Sequence, residues 1–321
     1  MDQKKAKEAW QLLRQAEQWL IITHYNPDGD ALSSANIFLE LAAQLDKKVL
    51  AYCADQPGEN FSFLSRVGQV SSQLSRQQFD QSPVVIVVDC GSASRTKLAE
   101  WLLNHHSNQT IIEFDHHQPQ DNYADISFKE SQAAATVEVI YDFLIAINWP
   151  ISTEIARSVL TGLVTDTGNF LHSNTTDKIT KIAAKMMLLG ARLPKIINQT
   201  LVSKNLAVMR LWGRALSQLK INAEYLLAIV VIRQKDLIEF GLTSDDLSGL
   251  VGLISSLQGV AGNLLLVETD DGQLKGSLRT NRADLDLSVL ANILGGGGHR
   301  KAAGFTVTGG IVDTEGGIAV N

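Results

Sequence analysis

Three apolar runs of strand length each end in acidic and imidazole side chains, and this arrangement constrains the chain more than any other feature. WLIIT leads into His24, then Asn26, Pro27, Asp28, Gly29 and Asp30; PVVIVV leads into Asp89; TIIEF leads into Asp115, His116 and His117. Short, continuous apolar runs that alternate with amphipathic helical segments predict parallel strands buried on both faces. In such a sheet the loops at the carboxyl ends of the strands converge on one edge, where ligands bind. The three clusters are therefore expected side by side.

The alternation extends through the first half of the chain. Residues 3–19, ALSSANIFLELAAQL, RTKLAEWLLNHH, AAATVEVIYDFLIAI and TEIARSVLTGLVTDTG carry helical spacing, and KKVLAYCA reads as a further strand. From Asp177 to about Lys220 the spacing is helical throughout, punctuated by Gly190 and Pro194. A second α/β pattern follows, with strands in EYLLAIVVI, NLLLVET, QLKGSLRT and GFTVTG, and helices in SDDLSGLVGLISSL and LSVLANILGG. DDGQ between two of these strands is a hairpin signal. The expected organisation is α/β: an N-terminal, mainly parallel sheet flanked by helices (1–185), a helical connector (186–222) and a smaller C-terminal α/β domain (223–321).

His24, Asp28 and Asp30 crowd an imidazole and two carboxylates into one turn, which suits a divalent cation; an Asp-capped turn accounts for the same residues. Asp89, at the end of a buried strand, needs a cap, an ion pair or a metal. A DHH triplet arises by chance in roughly one chain in a hundred of this length, and here it falls on the ligand edge. His105 and His106 sit at the opposite edge and read as surface. Asp166 lies in a polar turn expected after a helix. Together His24, Asp28, Asp30, Asp89, His116 and Asp166 offer six hard or borderline ligands, a number suited to two cations sharing a carboxylate. With no thiolate among them, Mn²⁺ is the preferred metal and Mg²⁺ the second choice.

Near the C-terminus, the glycines Gly295 to Gly298 precede His299, Arg300 and Lys301, and exposed backbone N–H groups beside cations suit a phosphate. In KGSLRTNR, strand alternation puts Lys275, Ser277 and Arg279 on one face, with Arg282 just beyond. Taken alone, the glycine run is a weak signal, since such runs are also flexible loops, and a solvated strand face is the better reading of KGSLRTNR.

Charge narrows the partners. With 28 Lys and Arg against 34 Asp and Glu, and 6% aromatics, the chain lacks the basic, aromatic-lined groove that tracks a long duplex. Local cations can still hold a small polyanion. Cys53 and Cys90, both in apolar runs, exclude a disulfide framework. The first 22 residues lack a signal-peptide pattern and no apolar stretch is long enough to span a bilayer, so a cytoplasmic protein with no membrane partner is expected.

HYNPDGD, VVD, DHH and the Asp166 segment, in this order and spacing, resemble the four motifs of the DHH phosphoesterases, and GSLR with GGGGHRKAAG resembles the companion DHHA1 domain. Within that family the chain is similar to the nanoRNase type, which hydrolyses short oligoribonucleotides and 3′-phosphoadenosine 5′-phosphate, and to the phosphodiesterases that cleave pApA or cyclic di-AMP. The resemblance implies that His24, Asp28 and Asp89 bind one Mn²⁺, and that Asp30, Asp89, His116 and Asp166 bind the other. It further implies that Asp115 orients the histidines and that His117 stays near the scissile phosphate. Ser277, Arg279, Gly296, Gly297, Gly298 and His299 would hold the nucleotide. Short nucleotides are the implied substrates, with a homodimer compatible. An inorganic polyphosphatase or pyrophosphatase is the alternative that the N-terminal motifs permit, and a non-catalytic nucleotide-binding module is disfavoured because no ligand is missing.

Overall fold

Trp19, Leu20, Ile21 and Ile22 are fully buried, so the strand they form, β1 (Gln18–Ile22), has no solvated face. In the computed structural model, which describes residues 1–118, 121–172, 174–202, 206–247, 249–314 and 317–320, β1 lies inside a sheet of six strands. Its neighbours are β2 (Lys48–Tyr52), β3 (Val70–Ser71), β4 (Val84–Val88), β5 (Thr110–Asp115) and β6 (Ile126–Lys129). The order is β3-β2-β1-β4-β5-β6, and every pairing is parallel. The chain thus winds outward from β1 to one edge, returns to β4 and winds outward to the other. The crevice at the carboxyl ends of β1 and β4 is the switch point of a doubly wound sheet.

Helices cover both faces: α1 (Gln3–Gln15), α2 (Gly29–Gln44), α3 (Arg76–Asp80), α4 (Ala99–Leu103), α5 (Thr136–Ala146), α6 (Thr153–Asp166), α7 (Asp177–Leu188) and α8 (Leu193–Ile197). Trp19, Ile21, Ile86, Ile112 and Phe114 pack on one side with Phe38, Phe143 and Leu160. Leu20, Ile22, Val85, Val87 and Ile111 pack on the other with Phe79 and Leu102. This two-sided burial is why the strands read as unbroken apolar runs. Phe114 sits 5.0 Å, ring to ring, from both Phe38 and Phe143, and burial of one such side chain contributes roughly 1.5–3 kcal/mol.

The sequence reading differs from the structure at a few places. β3 and β6 were not expected: β3 has two residues, and β6 alternates between buried and half-buried positions instead of forming a continuous apolar run. RTKLAEWLLNHH is not one helix, because Lys97 adopts a left-handed φ of 61° that separates a short turn of 3₁₀ helix from α4. Asp166 is the last residue of α6 rather than part of a turn beyond it.

The chain divides into two compact units, Met1–Ser203 and Lys204–Asn321. The division falls inside the segment read as a connector, of which residues 203–205 lie outside the described residues. The second unit holds α9 (Leu206–Ser217), β7 (Lys220–Asn222), β8 (Leu227–Ile232), α10 (Gln234–Phe240), α11 (Leu250–Ile254), β9 (Gly262–Glu268), β10 (Gln273–Arg279), α12 (Leu287–Ile293), β11 (Gly297–His299) and β12 (Ala302–Thr308). Its sheet also has six strands but is mixed, ordered β11-β12-β10-β9-β8-β7, with β8 and β9 parallel and the other pairings antiparallel. β9 and β10 form the hairpin signalled by DDGQ, with Gly272 at φ 75° in its turn. SDDLSGLVGLISSL, read as one helix, is interrupted at Gly249, whose φ of 96° precedes α11. Among the described residues no helix is long and apolar enough to cross a membrane.

Candidate metal centre

The chain leaves β1 through Thr23, whose hydroxyl donates to the Val88 carbonyl at 3.1 Å and ties the ends of β1 and β4 together. His24 follows, 2% exposed. Its Nδ1 lies 2.7 Å from the Tyr25 carbonyl; a carbonyl only accepts, so Nδ1 carries the proton and donates it. Nε2 is thereby turned inward, where it finds no hydrogen-bond partner among the described residues. Asp89 Oδ2 stands 3.6 Å from it, beyond hydrogen-bond reach. A buried polar atom left this way costs roughly 1–3 kcal/mol, and a cation on Nε2 would remove the deficit. Burial disfavours the His24 imidazolium, but Asp89 and Asp28 outweigh it and raise the pKa above 6.5.

Asp28 is the N-cap of α2: its Oδ1 accepts from the backbone N–H groups of Asp30 and Ala31, each at 3.0 Å. The capped turn and the metal ligand are thus compatible readings, because the cap uses one oxygen of two. Asp30 is fully buried, with α5 holding both its oxygens: Thr136 N–H donates to Oδ2 at 2.5 Å and Val137 N–H to Oδ1 at 3.0 Å. Burial, with Asp89 and Asp28 nearby, still pushes the Asp30 carboxyl well above its ordinary range. Gly162 of α6 must be small, since a Cβ there would stand 2.6 Å from Asp30 Oδ1.

Asp89 stands between the two sides of the site. Its φ of 61° is left-handed, a conformation that costs a non-glycine residue about 1–3 kcal/mol and persists where the surroundings enforce it. Here Phe114 O accepts its N–H at 3.0 Å, and the Thr136 hydroxyl donates to Oδ1 at 2.7 Å. Oδ2 faces His24, while Oδ1 lies 3.6 Å from both His116 Nε2 and His117 Nδ1. Burial alone would raise the Asp89 pKa, but the three surrounding histidines hold it well below the usual carboxylate range.

Asp115 closes the site from β5. It accepts from Gly91 N–H at 2.6 Å and from His117 through both the backbone N–H at 2.9 Å and Nδ1 at 2.7 Å. Burial would raise the Asp115 pKa, but His117 overcomes it and lowers it. Burial also disfavours a charged His117; Asp115 and Asp89 reverse that and raise its pKa. His116 lies 3.3 Å from the Ala133 carbonyl through Nδ1 and 3.4 Å from Asp166 Oδ2 through Nε2. Within each of three sets, His24 with Asp28 and Asp89, Asp30 with His116 and Asp166, and Asp89 with Asp115 and His117, one ligand atom per residue lies within 4.8 Å of the others. Cys53 and Cys90 are buried and their thiols are pushed up by burial, Cys53 to about 11, so neither offers a thiolate. Oxygen and imidazole nitrogen donors fit a hard or borderline divalent cation.

Residues 18–163 match the sequence model of the DHH family's N-terminal domain, and residues 222–315 match the DHHA1 domain. The chain belongs to the DHH family. It is 29% identical over 291 residues, 90% of its own length and 84% of the relative's, to the bifunctional oligoribonuclease and PAP phosphatase NrnA of Thermus thermophilus. The NrnA of Bacillus subtilis is 26% identical, with 88% and 87% covered. An exopolyphosphatase-related protein from Bacteroides fragilis shares the fold at a TM-score of 0.85 and 22% identity, with 94% of this chain and 91% of that one covered. DHH phosphoesterases are metal-dependent hydrolases, and this chain is one of them.

The structure of this DHH chain brings His24, Asp28, Asp30, Asp89, Asp115, His116, His117 and Asp166 to one edge of the parallel sheet. His105 and His106 stand apart, beside Asp125 at 3.2 Å and Asp80 at 3.4 Å. In the second unit, β10 turns Lys275, Ser277 and Arg279 to its more open face, while Leu274, Gly276 and Leu278 are buried. Ser277 is in register with Gly304 and, across β12, Gly297; Arg279 is in register with Ala302 and His299. A cavity of about 230 Å³ on this unit is lined by Lys275, Ser277, Gly295, Gly296, Gly304 and Thr306, among others. Gly296 must be glycine, because a Cβ would meet the Gly304 carbonyl at 2.1 Å. Arg282 pairs with Asp284, and Arg300 donates to the Ala283 and Leu285 carbonyls at 3.0 and 3.2 Å.

Thr136 and Gly91 were missed by the sequence reading. Thr136 sits in an apolar helix start, and only the fold shows its hydroxyl reaching Asp89. Gly91 was legible as the glycine two residues after a strand-terminal Asp, where a left-handed φ, here 68°, suits a tight turn.

Proposed function

We propose that this chain is a two-metal, Mn²⁺-dependent phosphoesterase that hydrolyses short oligoribonucleotides or linear dinucleotides such as pApA to mononucleotides, and 3′-phosphoadenosine 5′-phosphate to AMP. The observation that carries the reading is Asp89, whose two oxygens face His24 on one side and His116 on the other. The relatives named as oligoribonuclease and PAP phosphatase supply the substrate class. In this reading His24, Asp28 and Asp89 hold one ion, and Asp30, Asp89, His116 and Asp166 hold the second. When bound, a pair of divalent ions lowers the pKa of an attacking water and offsets phosphoryl charge.

The chain's own residues do the rest. Helix α5 holds Asp30 and Asp89 through hydrogen bonds from Thr136 and Val137, which orient both carboxylates as ligands. Asp115 holds His117 through Nδ1, which leaves proton delivery to Nε2. With its pKa raised by Asp115 and Asp89, His117 carries the proton that the leaving oxygen needs as the P–O bond breaks. On the second unit, Arg279 and Ser277, with Gly296, Gly297, Gly298 and His299, hold the rest of the nucleotide through phosphate and backbone N–H contacts.

The test is Mn²⁺-dependent product release from a parallel panel of pApA, short oligoribonucleotides, 3′-phosphoadenosine 5′-phosphate, cyclic di-AMP, pyrophosphate and polyphosphate. Fast turnover of the short linear nucleotides is expected. Turnover of pyrophosphate or polyphosphate alone would overturn the substrate class.

A further inference from the structure

Arg95 is an ionic group beside the centre that neither the metal ligands nor the fold employs. It lies in the short 3₁₀ turn Ala93–Thr96 that follows β4. Its backbone is fully engaged: the N–H donates to Ser92 O at 3.3 Å and the carbonyl accepts from Tyr25 N–H at 2.9 Å. Its half-buried side chain makes no hydrogen bond or ion pair with any described residue. Arg66, Arg76, Arg214 and Arg282, by contrast, are each paired with a carboxylate.

Gly91 marks where that guanidinium stands. A Cβ on Gly91 would lie 3.3 Å from His117 Cγ and 3.6 Å from Arg95 Nη1. The guanidinium is therefore on the His117 side of the carboxyl edge, and its charge opposes protonation of both His24 and His117. A permanent cation beside groups that gather divalent cations repels those cations and makes their binding harder. Once those cations are in place, an anion joining the site offsets the repulsion. The guanidinium's planar fork of donors matches a phosphoryl group.

We propose that Arg95 is a catalytic residue that binds the phosphoryl group of the substrate from the metal-bearing unit and stabilises the charge spreading over its oxygens during hydrolysis. The assignment rests on the phosphoesterase reading of the same site but not on which nucleotide is cleaved. Arg95 is distinct from Arg279, which lies on the other unit. As a group aimed at the reacting phosphoryl, Arg95 acts on kcat as well as on KM, while a group that grips the remote part of the nucleotide moves mainly KM.

The experiment compares wild type with Arg95→Gln, Arg95→Lys and Arg95→Ala, all loaded with Mn²⁺, using inorganic phosphate as the probe in a binding titration alongside turnover of pApA. Folding is checked by circular dichroism and urea midpoint. The expected result for Arg95→Gln is phosphate binding about tenfold to a hundredfold weaker, Mn²⁺ binding equal to or tighter than wild type, and lower kcat. Arg95→Lys should recover part of both losses, and added guanidinium should partly restore Arg95→Ala. Phosphate affinity and kcat within about twofold of wild type in folded Arg95→Gln would overturn the assignment, as would weaker Mn²⁺ binding with phosphate affinity unchanged. If wild type cleaves no nucleotide while Arg95→Gln still loses phosphate binding, the substrate class fails and the Arg95 assignment stands.

Discussion

The Thr136 hydroxyl donates to Asp89 Oδ1 at 2.7 Å, joining the first residue of α5 to the carboxylate at the end of β4. The backbone N–H of the same threonine donates to Asp30. One residue outside the metal ligands therefore orients two of the carboxylates assigned to them. Thr136→Val keeps the shape and the backbone donor but leaves Oδ1 without this partner. We expect Mn²⁺ affinity to fall about tenfold to a hundredfold, with the metal-free protein losing roughly 1–3 kcal/mol. A metal titration and a urea midpoint check both, and unchanged Mn²⁺ affinity removes Thr136 from the account.

Asp89→Asn retains volume and tolerates the left-handed φ, which Asn adopts more readily than most residues. It removes the charge that the two proposed sites share. Turnover should drop by more than about a hundredfold while the circular dichroism spectrum stays that of wild type. A variant that binds two Mn²⁺ ions with wild-type affinity would show that the shared carboxylate is misassigned.

Much of this site was legible because it sits where apolar runs end. The buried strands leave a continuous signal, and the residues just past Ile22, Val88 and Phe114 must then share an edge. What was not legible depends on contacts between distant segments. Thr136 meets Asp89 across 47 positions and Asp30 across 106, and no local pattern encodes either. Asp166 reads as a turn residue because Thr165, Thr167 and Gly168 surround it, yet α6 continues to it and ends on it. β6 escaped notice because an edge strand with one half-solvated face lacks the apolar run that marked β4 and β5.

The stability of the metal-free protein should fall as pH rises. His24 and His117 have pKa values raised above 6.5 in the folded chain. Their contribution is fully present below 6.5 and is lost as pH climbs through the folded values. Asp30, also raised, has the same sign: its neutral form is favoured, and ionisation in the folded state is resisted. Asp89 and Asp115, both lowered, contribute above the ordinary carboxylate range and lose that only in acid. Urea midpoints of chelated protein should therefore decline between about pH 6 and about pH 8. Saturating Mn²⁺ should abolish or invert the slope, because ion binding requires the deprotonated ligands. A midpoint that rises over this range without metal contradicts the electrostatic picture.

Arg279→Ala should act on the other unit. Arg279 lies on the open face of β10, in register with Ala302 and His299, and is assigned to the part of the nucleotide away from the reacting phosphoryl. KM for pApA should rise about tenfold or more with kcat little changed. A fall in kcat alone would move Arg279 to the reacting centre.

The central claim, two ions gathered around Asp89, is tested most directly by counting Mn²⁺ bound per chain as chelated wild-type protein is titrated with metal and turnover is followed in parallel. The account predicts two ions per chain, with turnover absent after exhaustive chelation and reaching its maximum only as the second site fills. One ion per chain at full activity, or activity that survives chelation, would contradict it.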